Sequence, residues 1–273
     1  MNTRIPTISV ILPVFNAEKY IRSAIQSVLD QSFLNWELLI VNDGSTDDTK
    51  NIIESFDDVR IRVFNQGNNG VSSARNRGLA AMKGAYFCFL DADDVLPKRS
   101  LEVRLDRFLV NSELSFVDGV VSIRSEDMKL ELSQYKPVIE GNVFSSLVRL
   151  TGECFFGPSW MIKREEGGTY TFQEGLTHGE DLCFYLSLAK HRNYGFVEEE
   201  ILWYRKGHNS AMTNVVGLEK GYHFLYGYAK YLGASNVDLT YLKKRIRRIV
   251  FLSYMLDKKS PFKAIISLYK SIR

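Results

Sequence analysis

The 273-residue chain is predicted to be an α/β protein, with a mostly parallel sheet covered by helices on both faces and a helical extension at its C-terminus. Strand and helix patterns alternate through the first half, and the strand patterns are almost continuously apolar. Such runs are typical of strands covered on both faces, and repeated strand–helix units build parallel sheets. From about residue 215 the pattern is helical. We therefore expect one domain over residues 1–214 and a helical, basic region over residues 215–273.

The strand–helix units can be followed along the chain. The first strand, "TISVILPVF", precedes the helix "AEKYIRSAIQSVLDQ", whose apolar residues recur at helical spacing. The next two units are "WELLIVNDGS" with "TDDTKNIIESF" and "VRIRVFNQ" with "GVSSARNRGLAAMKG", and "AYFCFL" is a fourth strand. Further along, "LSFVDGVVSIRS" and "YGFVEEEILWYRK" are strand-like, "GGTYTFQEGLTHG" is a loop and "EDLCFYLSLAKHR" is a helix.

Composition and charge restrict the kinds of function. No uncharged apolar run reaches the roughly 18 residues that span a bilayer, and Pro6 and Pro13 interrupt the apolar N-terminal stretch, so we expect neither a transmembrane helix nor a signal peptide. The three cysteines are odd in number and far apart, which favours reduced thiols in a cytoplasmic protein. Residues 240–273 contain ten Lys or Arg and one Asp, although the whole chain carries only +3. The remaining body is acidic, which argues against a nucleic-acid partner.

Polar clusters follow three of the predicted strands. Asn16 follows the first strand and Asp43 the second, and the fourth is followed by Asp91, Asp93 and Asp94. Open α/β sheets bind ligands at the carboxyl ends of their strands, so these side chains should converge on one crevice. Each cluster taken alone is also consistent with a turn or a helix cap. The chain has neither G-x-G-x-x-G nor G-x-x-x-x-G-K-[ST], so a dinucleotide site or a P-loop has no support.

Six segments in order resemble family 2 glycosyltransferases. They are "SVILPVFNAEKYIRSAIQSVLDQSF", "WELLIVNDGSTDDT", "NNGVSSARNRGL", "FLDADD", "GEDLCFYLSL" and "LWYRKGHNSAM". The resemblance implies the Rossmann-like GT-A fold, a nucleotide-sugar donor with UDP as the expected nucleotide, a divalent cation, and inversion at the anomeric carbon. Mn²⁺ or Mg²⁺ would suit a site built from carboxylates and phosphates, because both cations prefer oxygen ligands.

The resemblance also implies roles for single residues on the donor side. Asp93 is the expected metal ligand, Asp91 the expected contact to the ribose or the cation, and His208 a further ligand of the metal or the diphosphate. Asp94 is expected instead, from its position alone, to cap a helix that begins near Pro97. The residues expected to contact the nucleotide or to form its loop are Pro13, Asn16, Asp43, Arg75, Asn76 and Asp91. Two alternatives stay open: Arg75 as a solvated helix residue, and His208 as an exposed loop histidine.

On the acceptor side, the resemblance makes Asp181 the expected general base and Glu180 an orienting or binding residue. An inverting transfer needs one base opposite the leaving diphosphate. Acids at a helix start are also favoured by the helix dipole without any catalytic role. Trp160 would suit an aromatic platform for a sugar, and a buried core Trp is the alternative.

The leading hypothesis is an inverting glycosyltransferase that moves a sugar to a glycan or lipid-linked acceptor in surface polysaccharide biosynthesis. Two other classes stay open. A sugar-nucleotide nucleotidyltransferase usually has a Gly-rich loop and a basic residue after its first strand, which "PVFNAEKY" lacks. A non-catalytic carbohydrate-binding protein of the same fold is disfavoured by the presence of Asp43, Asp93 and Asp181.

The C-terminal tail has a pattern of its own. At helical spacing, Phe262, Ile265, Ile266 and Tyr269 share one face while most cations lie off it, as in a helix at a membrane interface. Each Lys or Arg near an anionic leaflet contributes about 1 kcal/mol, so we expect peripheral association with the inner face of the cell membrane. The alternative is that these apolar side chains pack on their own domain.

Overall fold

The structure, a computed structural model, describes residues 5–207 and 214–256. Its strands are β1 (Ile8–Val14), β2 (Trp36–Asn42), β3 (Ile61–Asn65), β4 (Tyr86–Phe89), β5 (Leu114–Arg124), β6 (Glu131–Tyr135), β7 (Met161–Lys163) and β8 (Asn193–Arg205). Its helices are α1 (Ile21–Leu29), α2 (Thr49–Glu54), α3 (Val71–Ala81), α4 (Ser100–Val110), α5 (Phe144–Arg149), α6 (Glu180–Ala189), α7 (Val215–Tyr231) and α8 (Asn236–Leu256). Of these, α5, β6 and β7 have no counterpart among the predicted elements.

The named strands join one sheet that is parallel on one side and mixed on the other. In order, β3, β2, β1 and β4 lie side by side and run parallel. Next to them, β7 runs antiparallel to both β4 and β5. The long strand β5 also pairs with antiparallel β6 and with parallel β8. This mixed, mostly parallel sheet with its helices confirms the predicted fold class.

The position of β1 creates a crevice at the carboxyl edge of the sheet. On one side of β1, Val14 lies beside Asn42 of β2, and on the other side Ile11 lies beside Phe89 of β4. The chain thus leaves β1 towards one side and returns on the other, and this reversal of strand order leaves a gap between the loops that follow the strands. The loops after β1, β2 and β4 meet at this gap.

Two apolar cores cover the two faces of the sheet. Neighbouring residues of a strand point to opposite faces, so Leu12 lies in the core with α1 and α4, and Ile11 lies in the other core with α3 and α6. Helices α7 and α8 contribute Leu225 and Leu242 to the same core as Phe184 of α6. The C-terminal helices therefore pack directly on the sheet domain. Within residues 5–207 and 214–256, no helix is both long and apolar enough to cross a bilayer.

Candidate active site

A crevice of about 350 Å³ lies beyond β1, β2 and β4. Its walls come from the loops after these strands and from the start of α3: Pro13, Val14, Phe15, Asn16, Ala17, Tyr20, Asp43, Val71, Ala74, Asp91, Ala92 and Asp93. Asn16 has the left-handed φ of 48°, which Asn tolerates better than most residues. Its Oδ1 accepts the Thr46 N–H at 2.8 Å and its own N–H donates to Ser45 Oγ at 3.0 Å. The loop after β1 is thereby attached to the loop after β2.

Asp43 shapes the wall of the crevice opposite Asp91. Its buried carboxylate accepts from Gln66 Nε2 at 2.8 Å and from the backbone N–H groups of Asn69 and Gly70 at 2.9 Å and 2.8 Å. These bonds hold the loop that leads into α3. A carboxylate accepts about four hydrogen bonds, so one position remains for a donor group of a ligand.

Arg75 is buried, so the alternative of a solvated helix residue is wrong. Its Nη2 donates to Asp91 Oδ1 at 2.9 Å and its Nη1 to Glu180 Oε1 at 3.4 Å, while its guanidinium lies 5.2 Å from the Phe172 ring. Burial alone would lower the pKa of Arg75, but the neighbouring carboxylates outweigh this effect and raise it. The guanidinium therefore stays charged and holds Asp91 and Glu180 near each other.

Asn76 has a different set of partners from those expected. Its side-chain amide donates to the Phe172 carbonyl at 3.0 Å and accepts the Phe172 N–H at 2.7 Å. It also donates to Glu174 Oε1 at 3.1 Å. Asn76 thus fastens the segment before α6 to α3 and is absent from the lining of the crevice. That Asn76 contacts a nucleotide stays a prediction.

The three acids after β4 occupy different environments. Asp91 and Asp93 line the crevice, whereas the Asp94 carboxylate is buried and accepts the Arg205 backbone N–H at 2.9 Å. Because α4 begins at Ser100, the expectation that Asp94 caps this helix is wrong. Burial raises the pKa of Asp94 well above its ordinary value, and the negative charges of Asp93 and Asp91 add to the effect. Asp91 and Asp93 therefore line the crevice beside a third acid that is buried.

A divalent cation fits this donor set. Two carboxylates that line one crevice, together with diphosphate oxygens and water, are what Mg²⁺ or Mn²⁺ uses in nucleotide sites. Burial is the main cause of the raised pKa of Asp94, and the charges of Asp93 and Asp91 add a repulsion that a cation would relieve. Among the described residues no group of three or more His, Cys, Asp or Glu could hold a metal ion unaided. His208 lies outside the described residues, so both interpretations of it stay predictions.

Glu180 and Asp181 stand at the first turn of α6, directly after Gly179, which has a left-handed φ of 74°. Burial and then the Asp181 charge raise the pKa of Glu180 to about 7, against the lowering effect of Arg75. Burial also raises the pKa of Asp181. Both acids consequently bind a proton more readily than exposed carboxylates do, which suits a role in proton transfer.

Two further cavities continue from the crevice. A central cavity of about 270 Å³ is lined by Phe89, Asp91, Asp94, Phe156, Gly157, Pro158, Asp181, Leu202 and Tyr204. An outer cavity of about 300 Å³ is lined by Phe155, Phe156, Thr177, His178, Gly179, Glu180, Asp181, Leu182, Leu218 and Tyr222. Asp91 borders the crevice and the central cavity, and Asp181 borders the central and outer cavities. The three spaces are therefore neighbours, with one acid at each of the two boundaries between them.

Tyr20 and Arg205 are among the residues of the site that were not predicted from the sequence. Tyr20 lines the crevice, and its Oη donates to Glu126 Oε1 at 2.8 Å. Arg205 donates from Nε to the Asp93 carbonyl at 2.7 Å, and its guanidinium lies 4.7 Å from the Tyr20 ring. Tyr20 belongs to the segment predicted as the first helix, but α1 begins one residue later. Arg205 lies in "LWYRKGHNSAM", so the resemblance was a signal for it.

Trp160 does not form an aromatic platform for a ligand. Its side chain is fully buried, and its ring packs against Phe116, Tyr185 and Tyr194 at centroid distances of 5.1, 4.7 and 4.8 Å. Its Nε1 donates to the Cys154 carbonyl at 3.0 Å. The alternative, a core tryptophan, is therefore correct.

Residues 9–165 match the family model for glycosyl transferase family 2. The chain belongs to this family. It is similar to the putative teichuronic acid biosynthesis glycosyltransferase TuaG of Bacillus subtilis (strain 168), with 34% identity over 81% of this chain and 87% of TuaG. It is also similar to the Escherichia coli UDP-Glc:alpha-D-GlcNAc-diphosphoundecaprenol beta-1,3-glucosyltransferase WfgD, with 39% identity over 68% of this chain and 71% of WfgD.

A longer relative and two solved structures of other proteins are also similar to this family 2 chain. An uncharacterized glycosyltransferase of Rickettsia felis is 33% identical over 71% of the chain, which spans only 32% of that longer protein. The crystal structure of S. aureus TarS 1-349 with UDP-GlcNAc has a TM-score of 0.70 at 17% identity and covers 97% of this chain and 77% of its own. The mannosyltransferase PcManGT from Pyrobaculum calidifontis, with GDP-Man and Mn²⁺, has a TM-score of 0.63 at 16% identity, with 98% and 76% covered. These structures establish the GT-A fold.

Proposed function

We propose that the protein is an inverting, metal-dependent glycosyltransferase that transfers a hexosyl or N-acetylhexosaminyl group from a UDP-sugar to a lipid-linked glycan. One observation carries the proposal: the buried Arg75 guanidinium pairs with Asp91 at 2.9 Å and with Glu180 at 3.4 Å. Asp91 borders the crevice and Glu180 the outer cavity. The Arg75 guanidinium therefore connects the acid at the donor crevice to the acid at the acceptor cavity. A donor sugar and an acceptor hydroxyl would meet between these two spaces.

The crevice suits a nucleoside diphosphate. Its volume of about 350 Å³ lies in the range of small-ligand pockets, and Asp43 retains one accepting position for a nucleobase N–H. The name of WfgD specifies UDP-Glc, and TarS is seen with UDP-GlcNAc, which supports UDP as the nucleotide. A divalent cation held by Asp91 and Asp93 would neutralise charge on the departing diphosphate.

Asp181 acts as the general base in this proposal. Asp181 borders both the central and the outer cavity, and there its carboxylate would take the proton of an acceptor hydroxyl that points towards the donor. Its raised pKa strengthens it as a proton acceptor. Glu180, bound to Arg75, orients the acceptor end of the site. Attack on the side opposite the diphosphate inverts the anomeric configuration.

The outer cavity suits a glycan acceptor. Phe155, Phe156 and Tyr222 contribute rings to its walls, and aromatic rings pack well against amphipathic groups. The name of WfgD specifies a GlcNAc-diphosphoundecaprenol acceptor, and the name of TuaG specifies teichuronic acid biosynthesis. Both names support a lipid-linked or polymeric acceptor in surface polysaccharide biosynthesis.

The test measures thermal unfolding of the protein with UDP-Glc, UDP-GlcNAc and GDP-Man, each with and without Mn²⁺. A ligand at 100 times its Kd adds about 2.7 kcal/mol to the stability of the native state, so cation-dependent stabilisation by a UDP-sugar is expected. The Asp93→Ala variant should lose this stabilisation, whereas Asp106→Asn, at an exposed position of α4, should retain it. NMR of the product with the donor that binds should show an inverted anomeric configuration. Cation-independent binding, or a product with retained configuration, would contradict the proposal.

A further inference from the structure

We propose that the outward face of α8 docks on an anionic lipid bilayer. Six exposed residues recur every three or four positions along this helix, and we call them the α8 stripe: Val237, Tyr241, Lys244, Arg248, Leu252 and Met255. In an α-helix with 3.6 residues per turn these positions fall within an arc of about 80°. The four apolar side chains of the stripe are 40% to 69% exposed. The stripe is therefore a continuous solvent-facing surface that mixes apolar and cationic groups.

The charge of α8 is complementary to an anionic partner. The helix carries five cations, Lys243, Lys244, Arg245, Arg247 and Arg248, and Asp238 is its one acid. Asp238 is turned inward, where its carboxylate accepts hydrogen bonds from Arg149, Ser145 and Ser235. The cations of the stripe are consequently not offset by an acid of their own helix.

The shape of the stripe favours a broad, flat partner. Its ends, Val237 and Met255, are separated by about 27 Å along the helix axis at 1.5 Å per residue. Along the helix the two cations, Lys244 and Arg248, lie between an apolar pair at each end, so one face offers both positive charge to lipid headgroups and apolar side chains to the interface. Tyr241 supports this position, since tyrosine rings favour the headgroup level.

Two other occupants are disfavoured by charge. A second copy of the chain would bring Lys244 and Arg248 against the same cations in a symmetric contact. Residues 257–273 contain five Lys or Arg and one Asp, so this segment would also meet the stripe with like charge. An anionic lipid surface instead attracts both the stripe and this segment.

The position of α8 connects the surface to the site. Tyr254 of α8 donates to Glu219 of α7 at 2.9 Å, and α7 lines the outer cavity with Leu218 and Tyr222. Packed helices lie about 8–10 Å apart, so α8 is one helix spacing from the helix that lines the cavity. That a lipid-linked acceptor would benefit from this closeness rests on the proposed function, whereas the binding itself does not.

The experiment sediments the full-length protein with vesicles of phosphatidylcholine alone or of equal parts phosphatidylcholine and phosphatidylglycerol, without nucleotide. We expect binding to the mixed vesicles that weakens with salt, and little binding to the neutral ones. The double variant Lys244→Glu with Arg248→Glu should lower the partition coefficient tenfold or more. Tyr241→Ser with Leu252→Ser, which leaves the charge unchanged, should also lower it.

The matched control is Lys50→Glu with Lys129→Glu, which makes the same change of charge at positions 58% and 82% exposed elsewhere. The control should bind as the unaltered protein does, and circular dichroism should show all variants folded. An equal loss of vesicle binding in the control would show that binding depends only on net charge, and this would overturn the proposal. So would loss only in Lys263→Glu with Lys270→Glu, which would assign binding to the terminal segment. Because no donor is present, this result is independent of whether UDP-sugars bind.

Discussion

At the residue scale, burial decides which charges the site can hold. Arg75 lies on α3, and its side chain is only 5% exposed. A buried cation needs partners, because its removal from water is costly. Asp91 and Glu180 provide them from positions 16 and 105 residues away in the chain. Sequence motifs predict that these acids matter, but their pairing depends on how three separate segments pack.

Asp181→Asn tests the general base. The amide cannot accept the acceptor proton, so we expect the transfer rate to fall roughly 10²- to 10⁴-fold. Stabilisation by UDP and Mn²⁺ should be unchanged, since Asp181 does not line the crevice. Asp106→Asn is the control for an acid-to-amide change at an exposed site. Turnover at the unaltered rate with saturating acceptor would show that another group is the base.

The raised pKa of Glu180 predicts a pH dependence of stability. Its folded-state pKa of about 7 exceeds its ordinary value of 4.5, so the folded state binds the proton more tightly than the unfolded state does. The resulting stabilisation is fully present below pH 4.5 and is lost as the pH rises through about 7. We expect a loss on the order of 2 kcal/mol in the free energy of unfolding.

Urea unfolding of the unaltered protein and of Glu180→Gln over this pH range measures the effect. Asp94 and Asp181 have raised pKa values too, so both proteins should lose stability as the pH rises, and the unaltered protein should lose more. Parallel stability curves for the two proteins would contradict the prediction.

At the element scale, two glycines of α7 allow this helix to pack closely on the segment that precedes α6. A Cβ at Gly221 would overlap the carbonyl oxygen of His178, and one at Gly217 would overlap Thr177 Oγ1. The helix backbone can therefore approach this segment closely, and Leu218 and Tyr222 reach the outer cavity. The helical pattern from residue 215 predicts α7, but no local pattern indicates which segment it contacts.

Gly221→Ala should disturb this contact. The added methyl group must displace α7 or the turn before Glu180, so we expect destabilisation of about 1–3 kcal/mol and a lower transfer rate with unchanged UDP binding. Gly227→Ala is the control on the same helix, because no atom lies within 4 Å of its added Cβ. The control should gain up to about 1 kcal/mol from helix propensity. Urea unfolding and transfer assays measure the two effects. Equal stability and equal activity of the two variants would contradict the close packing of α7 at Gly221.

At the scale of the whole molecule, the C-terminal helices share a core with the sheet. Leu242, Ile246 and Val250 of α8 belong to the same apolar cluster as Phe184 and Trp160. The domain boundary at residue 214 stays a prediction, and residues on both sides of it contribute to one apolar core. Removal of α8 would expose core side chains.

We expect the protein to unfold in one cooperative transition. Elements that share a core lose their contacts together, so the calorimetric and van't Hoff enthalpies of unfolding should agree. Differential scanning calorimetry measures both quantities. Two separate transitions, or a calorimetric enthalpy well above the van't Hoff value, would show that the C-terminal helices unfold independently.

The sequence by itself determined the order of the strand–helix units, the parallel half of the sheet and the placement of Asp43, Asp91 and Asp93 just after strands. These features follow from apolar periodicity and turn residues, which act over a few neighbouring positions. Only the tertiary structure decided that Arg75 pairs with two acidic motifs and that α7 forms a wall of the outer cavity. It also decided that the Asp94 carboxylate is buried and that Trp160 lies in the core. These features depend on contacts between residues that are distant in sequence, and such contacts form only when the sheet brings the separate segments together.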